Sequence, residues 1–92
     1  MPLSDLEAVL RSRRDAPPAG SYTAELLADP ERIQRKVMEE AFEVCLELGR
    51  ADVSAERVAE EAADLLYHLM VGLVGVDVAW ADVLAVLEER AK

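Results

Sequence analysis

Residues 30–75 read PERIQRKVMEEAFEVCLELGRADVSAERVAEEAADLLYHLMVGLVG, and this stretch decides the fold. Asp29 before Pro30 fits an N-cap with proline at the first helical position, and Gly49 is a C-cap signal. One helix is therefore expected to run to Leu48. Ser54 is the next N-cap candidate, opening a long helix from about Ala55 to Val74 that Gly75 ends. No segment alternates convincingly as a strand, because Gly75 and Asp77 interrupt the apolar run from Val74 to Ala79. The prediction is all-α, with a helical hairpin of two long helices joined by a short turn.

At about 100° of rotation per residue, Ile33, Val37, Ala41, Val44 and Leu48 form one stripe that must face a core. Glu40 and Glu43 sit at one edge of it, with Lys36 and Glu47 on the same flank and Glu39 further round. On the second helix Val58, Ala62, Leu65, Leu66, Leu69 and Leu73 form the matching stripe, and Glu61, Asp64 and His68 line its edge. An antiparallel hairpin closing at Gly49 to Val53 brings the two acidic edges together. Four converging carboxylates repel strongly unless something neutralises them. Protonation is one answer; a hard divalent cation such as Mg²⁺ is the natural one, since it prefers oxygen ligands. His68 and Cys45 do not form a zinc spacing. The bland alternative is a solvated acidic face.

Outward from the hairpin, Ser4 and Glu7 read as a capping box opening a short helix to about Arg13. Pro17-Pro18-Ala19-Gly20 then holds the chain open. Ser21-Tyr22-Thr23 leads into a helical turn through Leu26 and Leu27, and Ser21 is an ordinary cap candidate. Asp77 is expected to cap a last helix with Val83, Leu84 and Leu87 on its apolar side. Cys45 and Met70 read as core and Trp80 as a packing residue. Tyr67, Met70 and Val74 fall outside the main stripe, so a homodimer with a shared helical bundle is expected to cover them, Tyr67 as a subunit contact.

The whole chain fits this picture. Its 92 residues make a single domain over 1–92, and 52% hydrophobic residues exclude disorder as the default. The net charge of -9 argues against nucleic-acid or anionic-membrane partners. Most of it lies in residues 39–64, where nine acids face only Arg50 and Arg57. No apolar run reaches the ~20 residues of a membrane span, the N-terminus lacks the order of a signal peptide, and a lone cysteine makes no internal disulfide. A cytoplasmic protein is the expectation.

Glu39-Glu40-Ala41-Phe42-Glu43 followed by Glu61-Ala62-Ala63-Asp64 resembles the EExxE…ExxD signature of the all-α nucleotide pyrophosphatases, the MazG-like superfamily. Within it the chain looks like the phosphoribosyl-ATP pyrophosphatase family. That likeness extends over Ser21-Tyr22-Thr23-Ala24, Arg32-Ile33, Lys36-Val37 and Glu60 to Leu69. Met38 departs from the glycine common there, and Trp80 from a polar residue. The resemblance implies Mg²⁺-dependent hydrolysis (Mn²⁺ as a possible substitute) of phosphoribosyl-ATP to phosphoribosyl-AMP and pyrophosphate, the second step of histidine biosynthesis. Its catalytic metal ligands are then Glu40, Glu43, Glu61 and Asp64, with Glu39 and Glu60 as helpers around them; His68 on the acidic flank either hydrogen-bonds a metal-bound carboxylate or the substrate, or is a satisfied structural histidine. Ser21, Tyr22 and Thr23 meet the substrate, and Lys36 either contacts phosphate or pairs with Glu40 at i+4. A homodimer and a pathway partner, phosphoribosyl-AMP cyclohydrolase, are implied with it. The alternatives are a MazG-like pyrophosphatase for another nucleoside triphosphate, and a non-catalytic helical dimerisation module.

Overall fold

The structure is a computed structural model and describes residues 3–92. Five helices follow in order: α1 (Leu3–Asp15), α2 (Tyr22–Leu27), α3 (Pro30–Leu48), α4 (Ala55–Gly75) and α5 (Trp80–Arg90), with no strand among the described residues. The long hairpin is α3 against α4, and its ends follow the capping signals. The Asp29 side chain accepts from the Arg32 N–H and the Ser54 side chain from the Arg57 N–H, while Gly49 closes α3. Gly20 takes φ +76°, the left-handed conformation that lets the chain turn from α1 into α2.

The core lies at one end of the hairpin. Leu10 of α1, Leu26 of α2, Ile33 of α3 and Met70, Val71 and Val74 of α4 form one buried cluster, with Leu6, Leu27, Val37, Tyr67 and Trp80 packed on it. This revises the expected stripe on α4. Met70 and Val74 are covered within the chain by α1 and α2, not by a second subunit, whereas Leu66 on the expected stripe is 40% exposed. Tyr67 is likewise engaged within the chain: its hydroxyl is hydrogen-bonded to Thr23 Oγ1. Cys45, expected in the core, is exposed.

Two capping assignments also change. Ser4 lies inside α1, and Glu7 turns its carboxylate across the chain to accept the Trp80 N–H at 2.7 Å. This serves the start of α5, whose own N-cap, Ala79, offers no side-chain bond. Asp77 belongs to the end of α4. Its φ of 59° and the bonds Val78 N–H to Leu73 O (2.9 Å) and Asp77 N–H to Val74 O (3.1 Å) form a Schellman closure with an aspartate where glycine is usual. Arg11 at 2.9 Å and Arg14 at 3.4 Å hold the Asp77 carboxylate there, and these two guanidiniums keep it below the usual carboxylate range.

Candidate functional site

Antiparallel packing gives α3 and α4 a fixed register. Each step of one turn forward on α3 meets a step of one turn back on α4: Glu47 faces Arg57, and Glu43 faces Glu61. Nearer the core Ile33 lies against Gly72, where an added Cβ would come within 3.2 Å of the Ile33 side chain. The bare Gly72 is what allows the helices so close there.

Midway along this register Glu40, Glu43 and Glu61 each place one carboxylate oxygen within 4.8 Å of the others. Glu40 is buried at 6% exposure, Glu61 is half-buried and Glu43 lies at the open side. One oxygen of Glu40 faces Lys36 Nζ at 3.5 Å. Two further oxygens, Glu40 Oε2 and Glu61 Oε2, are shut away from water and have no hydrogen-bond partner. Contact with Glu61, followed by burial, holds the Glu43 carboxyl above the usual carboxylate range. Partnerless buried carboxylate oxygens beside a third acid are the donor set that a hard divalent cation takes.

The fourth expected ligand stays outside. Asp64 is exposed and its carboxylate is not in the group. Its side chain is one methylene shorter than that of a glutamate, and it stands three residues, about 60° of rotation, from Glu61. Its backbone carbonyl instead accepts the His68 Nδ1–H at 2.8 Å. Glu39 and Glu60 are exposed, and Glu39 takes Lys36 Nζ at 3.3 Å. Lys36 therefore makes the salt bridges to its own helix, and chiefly the Glu39 contact keeps its ammonium protonated beyond the usual range.

The Ser21-Tyr22-Thr23 block is anchored beside these acids. Ser21 Oγ accepts the Ala24 N–H and caps α2. His68 is buried at 7% exposure. Its Nδ1–H is spent on Asp64, so Nε2 accepts from the Tyr22 hydroxyl at 3.1 Å. The Tyr22 and Tyr67 rings stack at 6.4 Å, and the Arg32 guanidinium lies 5.4 Å over the Tyr22 ring. His68 is thus a satisfied histidine that fixes α2 to α4.

One residue escaped the reading of the sequence. Glu47, counted there among the flanking acids, is 4% exposed and gripped by two forked guanidiniums. Arg50 bonds it at 3.0 and 3.1 Å, and Arg57 at 3.2 and 3.5 Å. Arg50, then Arg57, push its carboxyl below the usual range. Both arginines of the acidic segment are thereby consumed one turn away from Glu43 and Glu61. The signal was present in the i+3 spacing of Glu47 and Arg50 across the hairpin turn.

The chain is similar to known proteins over nearly its whole length. The family profile described as phosphoribosyl-ATP pyrophosphohydrolase matches residues 3–91. A phosphoribosyl-ATP pyrophosphatase from Cereibacter sphaeroides is 48% identical over 89 residues, 96% of this chain and 84% of that one. One from Dinoroseobacter shibae is 47% identical over 89 residues, covering 96% and 85%. The histidine biosynthesis bifunctional protein HisIE of Pasteurella multocida is 47% identical over 89 residues, 96% of this chain but 43% of its own length.

Proposed function

The chain belongs to the phosphoribosyl-ATP pyrophosphohydrolase family, and from that we infer that it hydrolyses phosphoribosyl-ATP to phosphoribosyl-AMP and pyrophosphate in histidine biosynthesis. It is an enzyme, a hydrolase of a phosphoric anhydride, and the reading as a non-catalytic helical module falls away.

We propose that Glu40, Glu43 and Glu61 hold Mg²⁺, with Mn²⁺ as a substitute. The observation that carries this is the pair of buried, partnerless oxygens Glu40 Oε2 and Glu61 Oε2. When bound, the cation supplies neutralisation of the polyphosphate and Lewis acidity at phosphorus. The chain's own residues prepare the rest. Glu43, whose carboxyl is held above the usual range beside Glu61, must be deprotonated to serve as a ligand. Lys36, held between Glu39, Glu40 and the Tyr22 ring's neighbourhood, adds a positive charge beside the polyphosphate. Asp64, Glu39 and Glu60 stand at the rim as further negative charge, and Ser21, Tyr22 and Thr23 border the nucleotide. His68 keeps that block in place through Tyr22.

Assembly and setting belong to the same proposal. Met38 at 72%, Phe42 at 62% and Leu46 at 51% exposure lie together on the outer face of α3, an apolar surface that a second copy would cover. The bifunctional relative supports phosphoribosyl-AMP cyclohydrolase as a functional neighbour. No single helix among the described residues is long and apolar enough to cross a membrane, which agrees with a cytoplasmic setting.

The test is pyrophosphate release from phosphoribosyl-ATP with Mg²⁺, alongside a panel of canonical and modified nucleoside triphosphates. Release from phosphoribosyl-ATP above all others is the expected result. A folded protein that leaves it intact, or prefers another triphosphate, contradicts the proposal.

A further inference from the structure

We propose that Arg32 is the anchor of a second anion subsite, which takes the phosphate monoester of the phosphoribosyl group while the acids serve the polyphosphate end. This rests on the phosphoribosyl-ATP reading above. Arg32, Lys36 and Glu40 stand at successive i+4 positions on one face of α3, so Arg32 lies about 12 Å along the axis from Glu40. The face is basic at one end and acidic at the other. Lys36 belongs to the acidic end, because Glu39 and Glu40 hold its ammonium at 3.3 and 3.5 Å. Arg32 is the cation beyond it.

The Arg32 guanidinium is fixed without being used up. It lies 5.4 Å over the Tyr22 ring, and that ring is fastened by the Tyr22 hydroxyl to His68 Nε2 and by stacking on Tyr67. His68 is tied in turn to the α4 backbone at Asp64. Yet among the described residues the charge partner of Arg32 is Glu25 alone, at 3.8 Å, in a pair whose side chains are 40% and 60% exposed. Such a pair is weak and readily exchanged for a stronger anion. A guanidinium held over a ring, with only an exposed carboxylate at 3.8 Å beside its forked donors, can take a phosphate by two parallel hydrogen bonds.

The substrate has two anionic ends with a nucleoside between them. The polyphosphate end needs a cation between itself and the acids; the monoester needs a positive side chain directly. A monoester contact at Arg32 also distinguishes phosphoribosyl-ATP from ATP, which lacks that group.

Arg32→Gln removes the charge and the forked donors and leaves a shorter neutral amide. With phosphoribosyl-ATP it is expected to raise KM about tenfold or more with kcat nearly unchanged. Mn²⁺ affinity and the melting temperature should stay at their wild-type values. Independently, NMR titration with ribose 5-phosphate should shift the Arg32 Nε–H and the Tyr22 amide in the wild type and bind about tenfold more weakly to the variant. Inorganic pyrophosphate, mimicking the other end, should leave the Arg32 signal in place. A fall in kcat at constant KM, or an Arg32 signal moved by pyrophosphate and not by ribose 5-phosphate, overturns the assignment. If the wild type does not turn over phosphoribosyl-ATP, the activity reading fails, while the ribose 5-phosphate titration still decides the subsite.

Discussion

A carboxylate oxygen removed from water without a hydrogen-bond partner costs free energy, and Glu40 and Glu61 each carry one. Removing a charge there should relieve the metal-free fold and damage the site. Glu40→Gln and Glu61→Gln are each expected to lower pyrophosphate release about a hundredfold or more, while raising the melting temperature measured in chelator. Glu43 gives a pH-dependent version of the same argument. Its folded-state carboxyl is raised, first by Glu61, so the stability from that proton is complete below the unfolded carboxylate range and is lost as pH rises through the raised value. In melting curves without metal, Glu43→Gln should therefore gain on the wild type as pH rises out of the acid range. A gap between the two that does not widen with pH contradicts the raised Glu43 carboxyl. The acids were legible in the sequence because i, i+3 spacing beside an apolar stripe places them at a helix edge. Asp64 shares that edge by rotation, but its carboxylate is exposed and outside the group, because a rotation count locates the Cα direction and not the reach of a side chain. Asp77 was misread for a related reason: a left-handed backbone held by Arg11 and Arg14 depends on α1, which the local pattern around Asp77 does not contain.

At the scale of helices, the hairpin register decides whether Glu43 and Glu61 meet. The Glu47 clamp sits one turn from both, on the loop side, and the Ile33–Gly72 contact fixes the register from the core side. Glu47→Gln keeps the shape and loses the charge that Arg50 and Arg57 share. The variant should melt at a lower temperature and bind Mn²⁺ more weakly although Glu47 touches no ligand of the site. Wild-type Mn²⁺ affinity in a variant of clearly lowered stability would separate the clamp from the site. The helix ends were readable because Asp29, Pro30, Gly49 and Ser54 act locally. The clamp was not, because i+3 and cross-hairpin partners look like ordinary surface charge until the turn is closed. Nor was the Glu7 bond to Trp80, which spans nearly the whole chain.

For the molecule as a whole, α1 and α2 complete the core over one end of the hairpin and leave the acids at its middle. Met70 is 1% exposed in that core, so Met70→Ala should cost about 2–5 kcal/mol in a denaturant titration; a loss below about 1 kcal/mol would mean the cluster is not a packed core. Periodicity revealed two apolar faces on α4 but not which neighbour covers each, and so Met70 and Val74 were given to a partner subunit that the core does not need. The outer face of α3 with Met38, Phe42 and Leu46 is where apolar surface remains. All of this converges on one statement, that Glu40, Glu43 and Glu61 form a single divalent-cation site. Calorimetric titration of Mn²⁺ into the purified protein tests it most directly. Saturable binding with proton release is expected in the wild type and is lost in Glu61→Gln. Equal heats from wild type and variant, or no saturable binding by the folded wild type, would contradict it.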